Sequence, residues 1–235
     1  MNINGQLAGK TIVVTRPQAQ ARPLADAIAA AGGQPLVFPL LEISPADDQQ
    51  VLLDAAARLN DYRLAVFVSP NAVDYALPVL LAHGPWPARL TPAAVGQGTA
   101  RALAAHGVLG CVAPELRFDS EALLDLPELA ASRVNGCAVA IFRGDGGREL
   151  LADTLRERGA RVDCITCYRR SGPSAGVQAL LDAWRAGQLK ALTVSSSEGL
   201  RYLVDLLDDE GLALLRATPV DRKSTRLNSS HSVTS

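Results

Sequence analysis

The sequence predicts an α/β protein made of two similar parallel-sheet lobes. Three observations carry that expectation. Short apolar runs alternate with amphipathic stretches of helical length through most of the 235 residues, as in chains built from βαβ units. A block near the start returns later at a constant spacing, which marks a duplication. Apolar residues make up 48% of the chain, enough for a substantial core. No apolar run approaches the roughly 18 residues of a membrane span, and Met1–Leu7 is not signal-like, so a soluble, cytoplasmic chain is expected.

The elements follow in order. Thr11–Thr15 is a β-branched strand, and the helix Gln18–Ala31 after it is ended by Gly32-Gly33. Leu36–Leu41 reads as the next strand. Asp47–Leu59 reads as a helix whose acidic pair Asp47-Asp48 suits its first turn. Strand Leu64–Val68, helix Asn71–Leu81, strand Ala93–Val95 and helix Thr99–His106 come next. The alternation continues through Ala138–Phe142, Arg148–Arg158, Arg161–Cys167, Val177–Ala186, Ala191–Ser195 and Gly199–Leu207, with Gly159 stopping its helix as Gly32 does.

The duplication has an offset of 127 positions. Arg16 answers Arg143, Leu24-Ala25-Asp26 answers Leu151-Ala152-Asp153, Gly32 answers Gly159, Ser69 answers Ser196, and Thr91-Pro92 answers Thr218-Pro219. Beyond Thr91-Pro92 the first copy runs into a strand, a glycine turn and a helix, AAVGQGTA. The second copy reads DRKSTRL from Asp221, with no strand and no glycine. Asp221–Ser235 holds five serines and a net charge of +2, leaving −3 on Met1–Val220. It is expected to be a foreign tail replacing the last strands of the second copy.

In parallel sheets, ligands meet the C-terminal ends of the strands, where helix N-termini present N–H groups. Five polar segments stand there: Thr15-Arg16-Pro17, Val68-Ser69-Pro70-Asn71, Val95-Gly96-Gln97-Gly98-Thr99, Phe142-Arg143-Gly144-Asp145-Gly146 and Ser195-Ser196-Ser197-Glu198. Any one of them is satisfied by ordinary helix capping. Together they suit an anionic ligand held by backbone amides in a cleft between lobes.

Other chemistries are excluded by what the chain lacks. Its 23 basic and 24 acidic residues do not make a nucleic-acid binder. GQGT and GDGGRE are neither a dinucleotide fingerprint nor a Walker A loop. Cys111, Cys137, Cys164 and Cys167 lack zinc spacing, and Cys164 and Cys167 lie three apart on a strand, on opposite faces. Reduced cytosolic thiols are expected. His83 and His106 fall at helix ends and His231 in the tail, and no GxSxG or HExxH appears. A ring hydroxyl stands just after the strand Arg161–Cys167, that of Tyr168, followed by Arg169-Arg170; it suits a functional role and an amphipathic aromatic at a domain junction equally.

The ordered pieces VTRP, FPLLEI, FVSPNAV, AVGQGTA, FRGDGGRELLADTLRERGARVD, CYRR and VSSSEGL resemble the uroporphyrinogen-III synthases across essentially all of Thr11–Val220. The resemblance implies two HemD-like, flavodoxin-like lobes joined by a two-stranded linker, with a cleft between them. One lobe would be discontinuous, residues 1–38 plus 171–220; the other would be 41–167, and Phe38–Ile43 and Thr166–Arg170 would be the crossover strands. It also implies cyclisation of hydroxymethylbilane to uroporphyrinogen III, with loss of water, inversion of ring D and no metal or cofactor. Tyr168 would be the proton donor. Arg16, Ser69, Asn71, Gln97, Gly98, Thr99, Arg143, Gly144, Ser195, Ser196 and Ser197 would hold the substrate. A monomer is expected, taking its substrate from the preceding pathway enzyme and binding neither nucleic acid nor membrane. The alternative is a non-catalytic two-lobe binding protein for a small anion or linear tetrapyrrole.

Overall fold

The computed structural model describes residues 5–222. Strand β1 (Thr11–Val14) is buried along its whole length, where a β-branched TIVV run packs best. Helix α1 (Gln18–Ala30) is followed by Gly32 at φ +83°, and its repeat counterpart Gly159 has φ +87°, so glycine ends both helices in the left-handed region. Next come β2 (Gln34–Val37) and β3 (Glu42–Pro45). The single strand expected over Leu36–Leu41 is thereby corrected. Pro39 has no N–H to continue a ladder, so β2 stops at Val37 and the chain re-enters a strand at Glu42. Pro35 is accommodated because β2 is an edge strand.

Helix α2 (Gln50–Ala57) begins after Asp47-Asp48, which are therefore not first-turn residues. Asp47 pairs with Arg169 at 2.9 Å, and Asp48 accepts the Gln50 N–H at 2.8 Å. A full charge and a direct N–H outcompete a fractional helix charge for these carboxylates. The chain then runs through β4 (Leu64–Phe67), α3 (Pro70–Ala82), β5 (Thr91–Ala94) and α4 (Gln97–Ala105). Helices α5 (Ser120–Leu124) and α6 (Ala131–Val134) are too short to leave a period in the sequence.

The second half contains β6 (Ala138–Gly144), α7 (Leu150–Glu157), β7 (Arg161–Ser171), α8 (Gln178–Arg185), β8 (Leu189–Val194) and α9 (Ser197–Leu206). Helix α10 (Asp209–Ala217) was not expected; the Asp208 carboxylate caps it by accepting the Gly211 N–H at 2.8 Å. Strand β9 (Val220–Arg222) corrects the expectation that no strand continues from Asp221: Asp221 and Arg222 pair with Thr193 and Val194. They satisfy backbone groups along the edge of β8. His231 and the rest of the expected foreign tail, from Lys223 on, lie outside the described residues.

Two sheets result, β2-β1-β8-β9 and β3-β7-β6-β4-β5. The offset of 127 maps β1 onto β6, β2 onto β7, β4 onto β8 and β5 onto β9. The order β2-β1-β8-β9 therefore reappears as β7-β6-β4-β5, each of these four-strand sets drawing two strands from each copy, with β3 added at the edge of the second sheet. Register repeats as well. Thr11 pairs with Gln34 as Ala138 does with Arg161, and Ile12 with Ala191 as Val139 does with Leu64, all in parallel. The outermost pair departs by one residue: Ala65 faces Pro92, whereas Leu192 faces Val220.

The chain divides into two compact units. Residues up to Glu42 and from Ser171 on form one, Ile43–Arg170 the other. In the second unit the strand period of two builds two cores. Ala65, Phe67, Ala140 and Phe142 pack with residues of α2, α3 and α4, while Leu64, Val66, Val139 and Ile141 pack with α5 and α7. In the first unit Val13, Leu192 and Val194 pack with α8 and α9, and Ile12 and Val14 with α1. Cys167 belongs to one core of the second unit and Cys164 borders the other, and all four cysteines are free. Burial pushes the Cys167 thiol up to about 12 and that of Cys111 to about 11, so both stay protonated at neutral pH.

Candidate active site

The sequence leads to the C-terminal ends of the strands, and in the Ile43–Arg170 unit those ends converge on Tyr168. Ser69 leaves β4 in extended conformation and caps α3, its Oγ accepting the Ala72 N–H at 3.1 Å. The same Oγ is 3.0 Å from the Tyr168 hydroxyl. Tyr168 is 4% exposed. Its ring stacks on that of Tyr75 at a centroid distance of 6.0 Å, and Tyr75 is itself anchored by donating its O–H to the Ile43 carbonyl. On the other side the ladder sets Tyr168 against Gly144 at a register shift. A Cβ on Gly144 would lie 2.6 Å from Tyr168 Cζ, so the ring takes up the space that only glycine leaves.

Tyr168 borders a hollow of about 200 Å³, shared with Val68, Arg143, Gly144, Gly147 and Arg148. The Arg143 side chain is 12% exposed; it pairs with Glu149 at 2.8 Å and donates to the Gly146 carbonyl at 2.7 Å. Burial opposes its charge, but the Glu149 carboxylate more than offsets this and holds the guanidinium above its usual range. Arg143 thus folds the 144–149 turn around itself as well as facing the hollow. Arg148 forks onto Glu121 through two contacts of 2.5 and 3.2 Å and remains exposed. With Arg170 also lining the hollow, the site offers an anion three cationic groups beside a phenol O–H.

The other expected residues of this unit are placed differently. Asn71 is the second residue of α3. Gln97 opens α4 but gives its Nε2 to the Pro114 carbonyl at 3.1 Å. Gly98 is exposed, and a side chain there would meet only ordinary contacts. Thr99 is 3% exposed, a packing residue of α4 rather than an open hydroxyl. In the other unit, Ser196 caps α9 by accepting the Gly199 N–H at 2.9 Å, with Ser195 and Ser197 exposed on either side. Arg16 lies in the turn between β1 and α1, next to Thr15, whose hydroxyl donates to the Thr193 carbonyl.

Two residues of the Tyr168 site were not singled out from the sequence, Tyr75 and Arg148. Arg148 carries a signal in hindsight: its repeat counterpart is Ala21, so one copy gained a cation beside its glycine turn. Tyr75 sits six residues after Ser69 on α3, and only the fold brings it to Tyr168. Among the described residues no group of three or more His, Cys, Asp or Glu is placed to hold a metal ion, and no helix is long and apolar enough to cross a membrane.

Comparison with known proteins relates the chain to a family. The family model described as uroporphyrinogen-III synthase HemD matches residues 22–221. The uroporphyrinogen-III synthase of Escherichia coli (strain K12) is 36% identical over 200 residues, covering 84% of this chain and 80% of the relative. That of Salmonella typhimurium is 34% identical over 83% of this chain and 79% of the relative. In fold, the chain is similar to a uroporphyrinogen III synthase of Thermus thermophilus, with a TM-score of 0.61, 20% identity and coverage of 91% and 83%. It is also similar to the Helicobacter pylori uroporphyrinogen-III synthetase, with a TM-score of 0.53, 16% identity and coverage of 93% and 94%.

Proposed function

The chain belongs to the uroporphyrinogen-III synthase family, and from that premise we propose that Tyr168 is the acid of its reaction. The activity is uroporphyrinogen-III synthesis, and the enzyme is a cyclising lyase acting on a tetrapyrrole. The proposed substrate is linear hydroxymethylbilane. The observation that carries the reading is a buried phenol, fixed on three sides, at the edge of a hollow bordered by Arg143 and Arg148.

The residues act as follows. Substrate carboxylates meet Arg148 and Arg143 and the N–H groups at the starts of α3 and α4, near Asn71, Gln97 and Gly98. In the other unit Arg16 and Ser195-Ser196-Ser197 stand at the corresponding strand ends. The Tyr168 O–H gives its proton to the departing hydroxyl oxygen, the C–O bond breaks with its electron pair, and water leaves. The cation left on the methylene carbon is stabilised by its pyrrole. Ring D is attacked and inverted, the macrocycle closes with loss of one proton from carbon, and that proton restores the phenol. Holding one conformer is the larger part of the work, because the free substrate also closes without inversion. The reading extends to a cofactor-free cytoplasmic monomer supplied by the enzyme that makes the bilane; four free cysteines accord with a reducing compartment.

The test is to incubate the protein with freshly prepared hydroxymethylbilane and separate the I and III isomers after oxidation. Formation of the III isomer faster than spontaneous closure is expected. The I isomer alone, at the spontaneous rate, would refute the reading.

A further inference from the structure

We propose that Ser69 is a positioning residue that works through Tyr168, by donating a hydrogen bond from its hydroxyl to the phenolate that forms when Tyr168 gives up its proton. The inference rests on Tyr168 being the acid. Ser69 Oγ has two partners of opposite kind. It accepts the Ala72 N–H at 3.1 Å, which commits a lone pair to the helix, and it lies 3.0 Å from the Tyr168 oxygen. The geometry permits either oxygen to donate. With the phenol intact, Tyr168 O–H can point into the hollow at the substrate while Ser69 donates to the phenol oxygen. Once the proton has gone to the leaving hydroxyl, the phenolate is an acceptor only, and the Ser69 O–H is already aimed at it.

The surroundings favour the same direction. Ser69 caps the 13-residue helix α3, whose N-terminal N–H groups carry partial positive charge. A serine polarised by an N–H on its lone pair is a better donor to its other neighbour. The Tyr75 ring and the Gly144 backbone hold the Tyr168 ring from its other sides, so the phenolate oxygen has no freedom to swing away from Ser69. The step balances without any further group: the proton lost by Tyr168 leaves in water, and the proton released at ring closure returns to the phenolate, with Ser69 keeping its own throughout.

A double-mutant cycle tests the proposal, using the whole protein with hydroxymethylbilane. Ser69→Ala is expected to lower kcat for the III isomer about tenfold to a hundredfold with KM unchanged. Combined with Tyr168→Phe it is expected to cost nothing more than Tyr168→Phe alone. Ser69→Thr, which keeps hydroxyl and cap, restores kcat. Ser69→Asp keeps the cap, and hence the thermal midpoint, but sets an anion beside the phenolate and leaves kcat at or below the alanine level. Recovery of kcat in Ser69→Asp would show that Ser69 is a cap only. An increase in KM at constant kcat would make it a substrate contact. Independent losses in the double variant would equally overturn the proposal. Undiminished turnover in Tyr168→Phe alone would instead remove the acid itself, so the two failures are told apart.

Discussion

Ser69 and Ser196 are counterparts in the duplication, cap counterpart helices, and accept counterpart backbone protons from Ala72 and Gly199. What faces them differs. Because each sheet takes strands from both copies, Ser69 of the first copy meets Tyr168 of the second, whereas Ser196 of the second shares its unit with the counterpart of Tyr168 in the first, Leu41. A Cβ on Gly199 would lie 3.8 Å from Leu41 Cγ, so the position is apolar and packed. Gly144, which makes room for the Tyr168 ring, answers Pro17. The difference repeats at the opposite ends of the strands. The Tyr62 hydroxyl donates to Asp163 at 2.6 Å, while their counterparts are Leu189 and Leu36, core leucines of the other unit. One scaffold was duplicated, and the two buried tyrosine hydroxyls with their partners, Tyr168 with Ser69 and Tyr62 with Asp163, stand in one unit.

The largest expected effect breaks that asymmetry. Tyr168→Phe should lower kcat by about a hundredfold or more, with unchanged circular dichroism, whereas Leu41→Met, at the counterpart position, should leave kcat as it is. Gly144→Ala comes next. The new methyl group overlaps the Tyr168 ring, so the ring must shift, with a fall in kcat and a stability loss of about 1–3 kcal/mol, both read from one preparation by turnover and urea unfolding. Pro17, its counterpart, is expected to tolerate alanine with little change in either.

A smaller effect separates the two serines. Ser69→Ala and Ser196→Ala should each cost about 1 kcal/mol of stability through the lost cap. Turnover should divide them, the first lowering kcat and the second leaving it unchanged. The smallest effect concerns alkaline stability. Burial, then the hydrogen bond to Asp163, hold Tyr62 well above the ordinary tyrosine range near 10. The folded state therefore keeps a proton that the unfolded state releases. The stabilisation is fully present below pH 10 and is lost as pH rises from 10 through the folded value. Tyr62→Phe should flatten the fall in urea midpoint above about pH 10, and an unchanged slope there would remove Tyr62 as its source.

Much of this was legible in the sequence because both of its signals are periodic. Alternation of strands and helices marks the long elements, and the constant offset pairs Ser69 with Ser196 and Gly32 with Gly159 in the sequence itself. What escaped had no period to show. α5 and α6 are shorter than two turns, Pro39 moved a strand boundary, and β9 forms because a neighbouring edge accepts it. At the site, Tyr168 and Ser69 were found one at a time, as a junction aromatic and as a cap. Their contact spans 99 positions and arises only from the exchange of strands between copies. Gln97 and Thr99 illustrate the opposite limit. Polar residues at a helix start were read as ligand contacts, and one is tied to Pro114 while the other is buried.

The most direct measurement is the isomer ratio that folded Tyr168→Phe gives from freshly prepared hydroxymethylbilane. With the acid gone, the III isomer should form about a hundredfold more slowly, so that spontaneous closure to the I isomer takes most of the substrate, while the parent protein yields III. Formation of the III isomer by Tyr168→Phe at the parent rate would contradict the account.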